Sequence, residues 1–444
     1  MTKKELQEKM VCVISLGCDK NRVDAERILY KLKEFGMKVI SKPDEADIII
    51  VNTCAFIESA KQESVDEIMN VVGYKKDKLQ KLIVVGCLPA KANVDVCKMI
   101  PEVDATLNTR CENEILPLIA SLYNCTLDEG KTMVAPCERI VSTLPHSAYL
   151  KIADGCNNKC SYCTIPQIRG AYQSVPIENL VAEAKELVNN GVKEIILIAQ
   201  DVTRYGEDLY KKHRLVDLIK ELSKIENLEW IRLHYCYPEF VRDDLIDEIA
   251  NNPKVCKYMD IPIQHINNEI LKSMNRASTY ERVTILITKL RESIPDIVIR
   301  TSIIVGFPGE DNAKFKQLVD FLKEYKLDNV GFFAYSREEN TVAYNLDNQV
   351  PEKTKETRLK KLVELQTKIM MDKQAKRIGT EVYAVCEEVQ YTHYIFRSQY
   401  DSPEIDTIIF VPRMEENDNV KLGEFKNIKI CGVVDPFDLQ GEIK

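Results

Sequence analysis

No stretch of this chain approaches the ~18 uninterrupted apolar residues of a membrane-spanning helix. Its opening residues, MTKKELQEKM, are charged and lack the apolar run of a secretory signal. Positive charge is also short: 61 Lys and Arg face 69 Asp and Glu, a net −8, which argues against a protein wrapped around nucleic acid. Together these absences lead to the expectation of a cytoplasmic location. In that reducing compartment fifteen cysteines do not describe a disulfide framework; they point to metal binding or catalysis.

At 444 residues the chain is too long for one ordinary core, and 45% hydrophobic with 29% charged residues describes a globular protein of two or three domains. Three apolar runs open it: VCVISLGC, ADIIIVNTC and KLIVVGC, separated by helical patterns such as Ala25–Glu34. Continuous runs of this kind predict a parallel sheet covered on both faces. Each ends in a cysteine, Cys18, Cys54 or Cys87, and the carboxyl ends of parallel strands are where α/β sheets bind ligands. Residues 126–147, with Pro136 and Pro145, read as a connector. Six strand-like runs follow, AYLKI, EIILIA, EWIRLH, YMDIPI, VIRTSIIV and NVGFFA, each leading into a helical pattern. Six such units make a partial barrel with its site at the strand C-termini. A charged helix at about Lys353–Lys376 places Leu359, Leu362, Val363 and Ile369 on one side, and the nine basic residues between Glu352 and Arg377 read as a solvated face. From Ile378 onward, short strands with turns predict a small β-barrel.

The sequence GCNNKCSYCTIP sets Cys156, Cys160 and Cys163 in C-x3-C-x2-C spacing directly after a strand. Three close thiolates fall one short of the four ligands of a cubane iron–sulfur cluster, leaving one iron open. The competing readings are buried thiols, or zinc, which needs a fourth ligand; His146 is a poor candidate for it. Cys18, Cys54 and Cys87 match no metal spacing, but a strand-then-cysteine pattern repeated three times suggests a second three-cysteine cluster. Of the rest, Cys12 reads as core, and Cys97, Cys111, Cys125, Cys137, Cys256, Cys386 and Cys431 default to packing. Cys236, following a barrel strand, retains a minor claim to function. Gln200 and Asp201 close the second barrel strand, where pocket contacts are expected.

The C-x3-C-x2-C loop after the first of repeated βα units resembles the radical S-adenosylmethionine superfamily. The resemblance implies that the open iron chelates S-adenosylmethionine, whose cleavage gives a 5′-deoxyadenosyl radical able to remove hydrogen from an unactivated C–H. It further implies that Tyr162 lies near the adenine and that RTSIIVGFPGE, with Arg300, Gly306 and Glu310, is a cofactor-binding stretch. Arg300 would pair with the methionyl carboxylate; the plainer reading of Gly306 and Gly309 is a strand-to-helix turn. Across nearly the whole chain, SLGCDKNRVDAE, VNTCAFIESAKQES, VVGC, YLKIADGCNNKCSYCTIPQIRG, IAQDVTRYG, DIPIQH and GFPGE resemble the methylthiotransferase family. That resemblance implies an α/β fold of three parts. Residues 9–125 form an open parallel-sheet domain, 142–373 a partial (β/α)6 radical-SAM barrel, and 375–443 a small TRAM- or OB-like β-barrel. It also implies a second 4Fe–4S cluster on Cys18, Cys54 and Cys87 that handles the inserted sulfur.

Lys20-Asn21 after Cys18 and RSQYDSPEID near the C-terminus resemble the RimO type of this family. The implied reaction is methylthiolation of the β-carbon of an aspartate in ribosomal protein S-twelve, served by an electron donor and a sulfur source. Asp19, Tyr400 and Thr407 depart from that branch's usual Pro, Ala and Gly. The alternative readings are methylthiolation of an isopentenylated adenosine in tRNA and a non-catalytic iron–sulfur scaffold. Charge favours the protein target: residues 378–444 hold thirteen acidic and six basic side chains, a balance of −7. Such a barrel repels a tRNA backbone and attracts a basic ribosomal protein.

Overall fold

The computed structural model describes residues 1–127, 138–414 and 419–444. Residues 128–137 of the expected connector, with Pro136 and Cys137, lie outside the described residues, as do the acidic Glu415, Glu416 and Asp418.

The N-terminal part is a parallel five-stranded sheet of order β2-β1-β3-β4-β5. Its strands are β1 (Met10–Ser15), β2 (Lys38–Val39), β3 (Ile48–Thr53), β4 (Lys81–Gly86) and β5 (Ala105–Leu107). Strand β3 is buried along its whole length, because successive side chains enter opposite cores. Ile48 and Ile50 pack with Ile28, Leu32, Ile115 and Ile119 of the helices Asp19–Phe35 and Ile115–Leu122. Ile49 and Val51 pack with Ile68 and Val71 of the helix Glu58–Val72. Each such fully buried aliphatic side chain contributes about 1.5–3 kcal/mol. The three apolar runs became β1, β3 and β4; the edge strands β2 and β5, of two and three residues, are too short to leave a pattern.

The central part holds β6 (Ser147–Lys151), a short pair β7 (Ala153–Asp154) and β8 (Gln173–Ser174), then β9 (Glu194–Ile198), β10 (Trp230–Leu233), β11 (Tyr258–Asp260), β12 (Val298–Val305) and β13 (Asn329–Ala334). The expected six-stranded arc is present but interrupted. β10-β9-β6 and β11-β12-β13 form separate parallel triplets; between them Ile231 bridges Val255, just before β11, and Cys236 N donates to Asp260 O at 2.8 Å. β12 alternates between half-buried and buried residues. Ile299, Ile303 and Val305 enter the main core with Ile287, Leu318 and Leu322 of the surrounding helices, which turns Arg300, Ser302 and Ile304 to the barrel interior.

The C-terminal part closes into a five-stranded barrel, β14 (Glu381–Val389), β15 (His393–Ser398), β16 (Ile409–Pro412), β18 (Leu439–Ile443) and β17 (Phe425–Val433) in spatial order. The sequence pattern missed β18, LQGEI, because its one apolar face is shared by Leu439, Gly441 and Ile443. A side chain at Gly441 would stand 2.5 Å from Ile428 and 3.0 Å from Ile409, so closure of the barrel requires glycine there. This barrel docks on the central part through buried charge. Glu194 accepts from Arg232 at 2.8 Å and from Arg397 at 3.2 Å. Tyr258 donates to Asp406 at 2.8 Å and Ser402 meets His234 Nε2 at 2.9 Å; a more exposed pair, Arg22 with Glu404 at 2.8 Å, ties the barrel to the N-terminal part instead. RSQYDSPEID is the segment that makes most of these contacts.

The charged helix runs Glu352–Arg377. Leu362 and Ile369 are buried, whereas Val363 is 48% exposed, off the expected apolar side. Nor are all its basic residues solvated. Lys355 and Arg358 are buried because Lys355 donates to Tyr335 O at 2.8 Å and Arg358 to Glu310 at 2.6 Å. At the other end Gln374 donates to Thr407 at 2.7 Å.

Candidate functional site

Cys156, Cys160 and Cys163 lie in the loop between β7 and the helix Ile165–Arg169. The loop is fastened at both ends. Cys156 N donates to Gly170 O at 3.1 Å, Asn158 donates to Asp201 Oδ2 at 3.1 Å, and Ile165 N donates to Cys163 Sγ at 3.4 Å. Asp201, fully buried, therefore anchors the loop. Burial pushes the Cys156 thiol up to about 11 and Cys163 up to about 12, and the neighbouring sulfur of Cys160 adds to both. Deprotonation by a bound metal would have to overcome this cost.

Tyr162 and the Gly306–Glu310 stretch are brought together. The Tyr162 ring meets Phe307 edge-on, centroids 6.5 Å apart. Lys355 packs where a side chain at Gly306 would stand. Glu310 accepts from Gly306 N at 3.1 Å, meets His265 Nε2 at 3.2 Å and accepts from Arg358 at 2.6 Å, so its carboxylate shapes this turn from behind. Gln200 donates to Asp154 at 3.3 Å while its Oε1 is buried without a partner. Arg300 is placed differently. It lies between Asp260 and Asp406, 3.7 and 3.8 Å away, and among the described residues its guanidinium hydrogen-bonds to none of them.

The second triad is assembled from three strand ends. Cys18 caps the helix Asp19–Phe35 and is exposed; Cys54 follows β3 and Cys87 follows β4, both buried. Gly17, with φ +86°, brings the Cys18 loop so close that a Cβ there would stand 2.7 Å from Cys54 Cβ. Asn21 ties the loops together, donating to Leu16 O at 3.1 Å and Thr53 O at 2.9 Å, and its Oδ1 faces Cys87 Sγ at 3.7 Å. Ser64 receives Cys54 N at 3.0 Å and donates back to its carbonyl at 2.7 Å. Burial pushes Cys87 up to about 12 and raises Cys54 as well, with the Arg169 guanidinium opposing both shifts.

Both donor sets suit iron–sulfur clusters. Each is made of three thiols, and beside the barrel loop Gln200 Oε1 is a buried acceptor with no hydrogen-bond partner among the described residues. Among the described residues no three His, Cys, Asp or Glu side chains converge on a single ion. Zinc would require that convergence, whereas a cubane puts each thiolate on a different iron. His146 lies elsewhere, 3.7 Å from Glu387 of the C-terminal barrel. Cys12 and Cys236 are buried, Cys12 within the sheet core. Sequence reasoning used Asn21 only as a mark of the family branch and did not single out Asp154 or Arg169. The only signal for Asp154 and Arg169 was membership of the quoted run YLKIADGCNNKCSYCTIPQIRG.

Comparison with known proteins gives a consistent picture. The Radical SAM superfamily pattern matches residues 150–322, Uncharacterized protein family UPF0004 matches 10–108, and the TRAM domain matches 378–443. The chain is 44% identical to the ribosomal protein uS12 methylthiotransferase RimO of Acetivibrio thermocellus, over 98% of each chain. It is 46% identical to the protein of that name from Clostridium novyi, over 97% of each. In solved structures it resembles the radical S-adenosylmethionine methyltransferase TsrM of Kitasatospora setae, with TM-score 0.58 and 15% identity over 76% of this chain and 74% of that one. OxsB, a cobalamin-dependent S-adenosylmethionine radical enzyme, aligns with TM-score 0.52 and 14% identity over 82% and 57%. No helix among the described residues is long and apolar enough to cross a membrane.

Proposed function

The chain belongs to the ribosomal protein uS12 methylthiotransferase family of the radical S-adenosylmethionine superfamily, and on that premise we propose that its two cysteine triads divide one reaction between them. The enzyme methylthiolates the β-carbon of an aspartate in that small-subunit ribosomal protein. When bound, two 4Fe–4S clusters and S-adenosylmethionine supply hydrogen removal from an unactivated C–H and the sulfur and methyl that replace it. Cys156, Cys160 and Cys163 hold one cluster and leave an iron for the amino and carboxylate groups of S-adenosylmethionine. Cys18, Cys54 and Cys87 hold the other. Tyr162 and Phe307 wall the cofactor pocket, Gln200 offers its free carbonyl, and Arg300 keeps its fork for a carboxylate. Glu310 acts at one remove, by fixing the turn at Gly306. An electron donor and a sulfur source complete the system.

The observation that carries this reading is the pairing of two three-thiol sets, one at the carboxyl ends of β1, β3 and β4 and the other in the loop that follows β6 and β7. The relatives give no support to a tRNA target. Incubating reconstituted enzyme with S-adenosylmethionine, a reductant, sulfide and uS12 should add one methylthio mass to a single aspartate, with 5′-deoxyadenosine as co-product. Modification of an isopentenylated tRNA with none of uS12 would move the function to the other branch.

A further inference from the structure

The helix Ile165–Arg169 leaves the Cys156–Cys163 loop and ends on a side chain that neither triad contains. Arg169 is 4% exposed. Its guanidinium donates to the two Asp154 oxygens at 3.1 and 3.0 Å, to Asp24 at 3.1 Å and, by a short contact, to Asn21 Oδ1. Asp154 belongs to the barrel, whereas Asn21 and Asp24 belong to the helix that starts at Cys18. On the barrel side, Asp154 Oδ1 also accepts from Gln200 at 3.3 Å. On the far side, Asn21 Oδ1 also faces Cys87 Sγ at 3.7 Å. A continuous polar path therefore joins the barrel pocket to the N-terminal thiols, with Arg169 at its centre.

Lys151 pairs with Asp24 and, at 3.0 Å, with Asp154, and Arg110 approaches Asp154 at 3.5 Å, so three cations face the two carboxylates. Of these cations Arg169 is held through Asn21 against Cys87, and its charge acts on Cys87 and Cys18. A buried positive charge beside an iron–sulfur cluster favours the reduced, more negative form, and low dielectric strengthens the effect.

We infer that Arg169 is a positioning residue that locks the Cys18/Cys54/Cys87 cluster against the barrel and holds a positive charge on it, raising its reduction potential. The inference rests on the reading that those three cysteines bind a cluster.

Both can be tested in the full chain carrying Cys156→Ala, Cys160→Ala and Cys163→Ala, where only the N-terminal cluster remains for redox titration by electron paramagnetic resonance. Arg169→Met should lower the one-electron reduction equilibrium at least about tenfold, a shift of about 59 mV. Arg169→Lys, which keeps the charge, should recover most of that shift. Asp154→Asn, which frees the guanidinium of a counter-charge, should move the potential the opposite way. A merely structural Arg169 would not produce opposite signs at the two positions. Unchanged potentials in both variants with iron retained would overturn the proposal. Should Arg169→Met lose its iron, Asp154→Asn decides: an upward shift supports the assignment and an unchanged potential overturns it. No iron in the unsubstituted parent would instead overturn the cluster reading beneath it.

Discussion

The two cysteine triads solve the same problem in opposite ways. The barrel triad lies within one eight-residue loop, so chain connectivity alone keeps its thiols close. The N-terminal triad spans residues 18 to 87 and exists only after β1, β3 and β4 have paired. Its closeness depends on Gly17, Asn21 and Ser64, none of which offers a thiol. A local site survives faults in the fold that a distributed site cannot, and sensitivity to substitution should separate them.

The largest effects should come from removing thiols. Alanine at Cys156, Cys160 or Cys163 should abolish 5′-deoxyadenosine formation while about four irons per chain remain in the N-terminal site. Conversely, the triple Cys18/Cys54/Cys87→Ala chain should still cleave S-adenosylmethionine yet transfer no methylthio group. Unimpaired cleavage in the first set, or transfer in the second, would erase the division of labour. Gly17→Ala comes next. It forces a φ of +86° on a residue with a Cβ and drives that Cβ to 2.7 Å from Cys54. Iron analysis should show loss from the N-terminal site alone, with cleavage activity kept.

A smaller effect tests the attachment of the C-terminal barrel. Burial would raise the Glu194 carboxyl, but Arg397 and Arg232 overrule it and hold it down to about 2. Because the folded value is depressed, the stabilisation is complete above about pH 4.5 and is lost as pH falls through about 2. Glu194→Gln leaves Arg232 buried without its counter-charge and Arg397 with Glu387 alone, and should cost about 3–5 kcal/mol in denaturant unfolding.

The smallest expected effect concerns the acidic balance of the C-terminal part. Glu404, Asp406 and Asp401 face Arg22, Arg300 and Arg377, while Glu387, Glu424 and Glu442 pair with Arg397, Lys426 and Lys429. Much of the acidity is therefore already matched by basic groups, several of them in the docking interface. Reversing Glu388 and Asp435 to Lys together should weaken salt-sensitive binding of uS12 only a few-fold, with 5′-deoxyadenosine formation unchanged. A hundredfold loss would restore electrostatic attraction to the leading role.

The same contrast explains what the sequence disclosed. The barrel triad was legible from spacing, and the N-terminal one from three strands that each ended in cysteine. The architecture followed from runs such as IIIV at β3, whose alternate residues enter separate cores. Legibility failed where a single residue serves two distant elements. Lys355 and Arg358 look like members of a solvated face, because their partners Tyr335 and Glu310 are remote in sequence. Arg169 is one cation among 61 Lys and Arg until the fold sets it against Asn21. β18 was hidden because Gly441 removes the side chain that would have marked its alternation.

The helix Glu352–Arg377 also acts as a gauge. Its 26 residues span about 39 Å at ~1.5 Å per residue. Arg358 is seated on Glu310 near one end and Gln374 on Thr407 near the other. Adding or deleting one residue between them would lengthen or shorten the rod slightly but rotate one seat against the other by about 100°. Insertions tolerated in the surface loops of this chain should therefore fail between residues 359 and 373, where the phase of the helix, rather than its composition, is held constant.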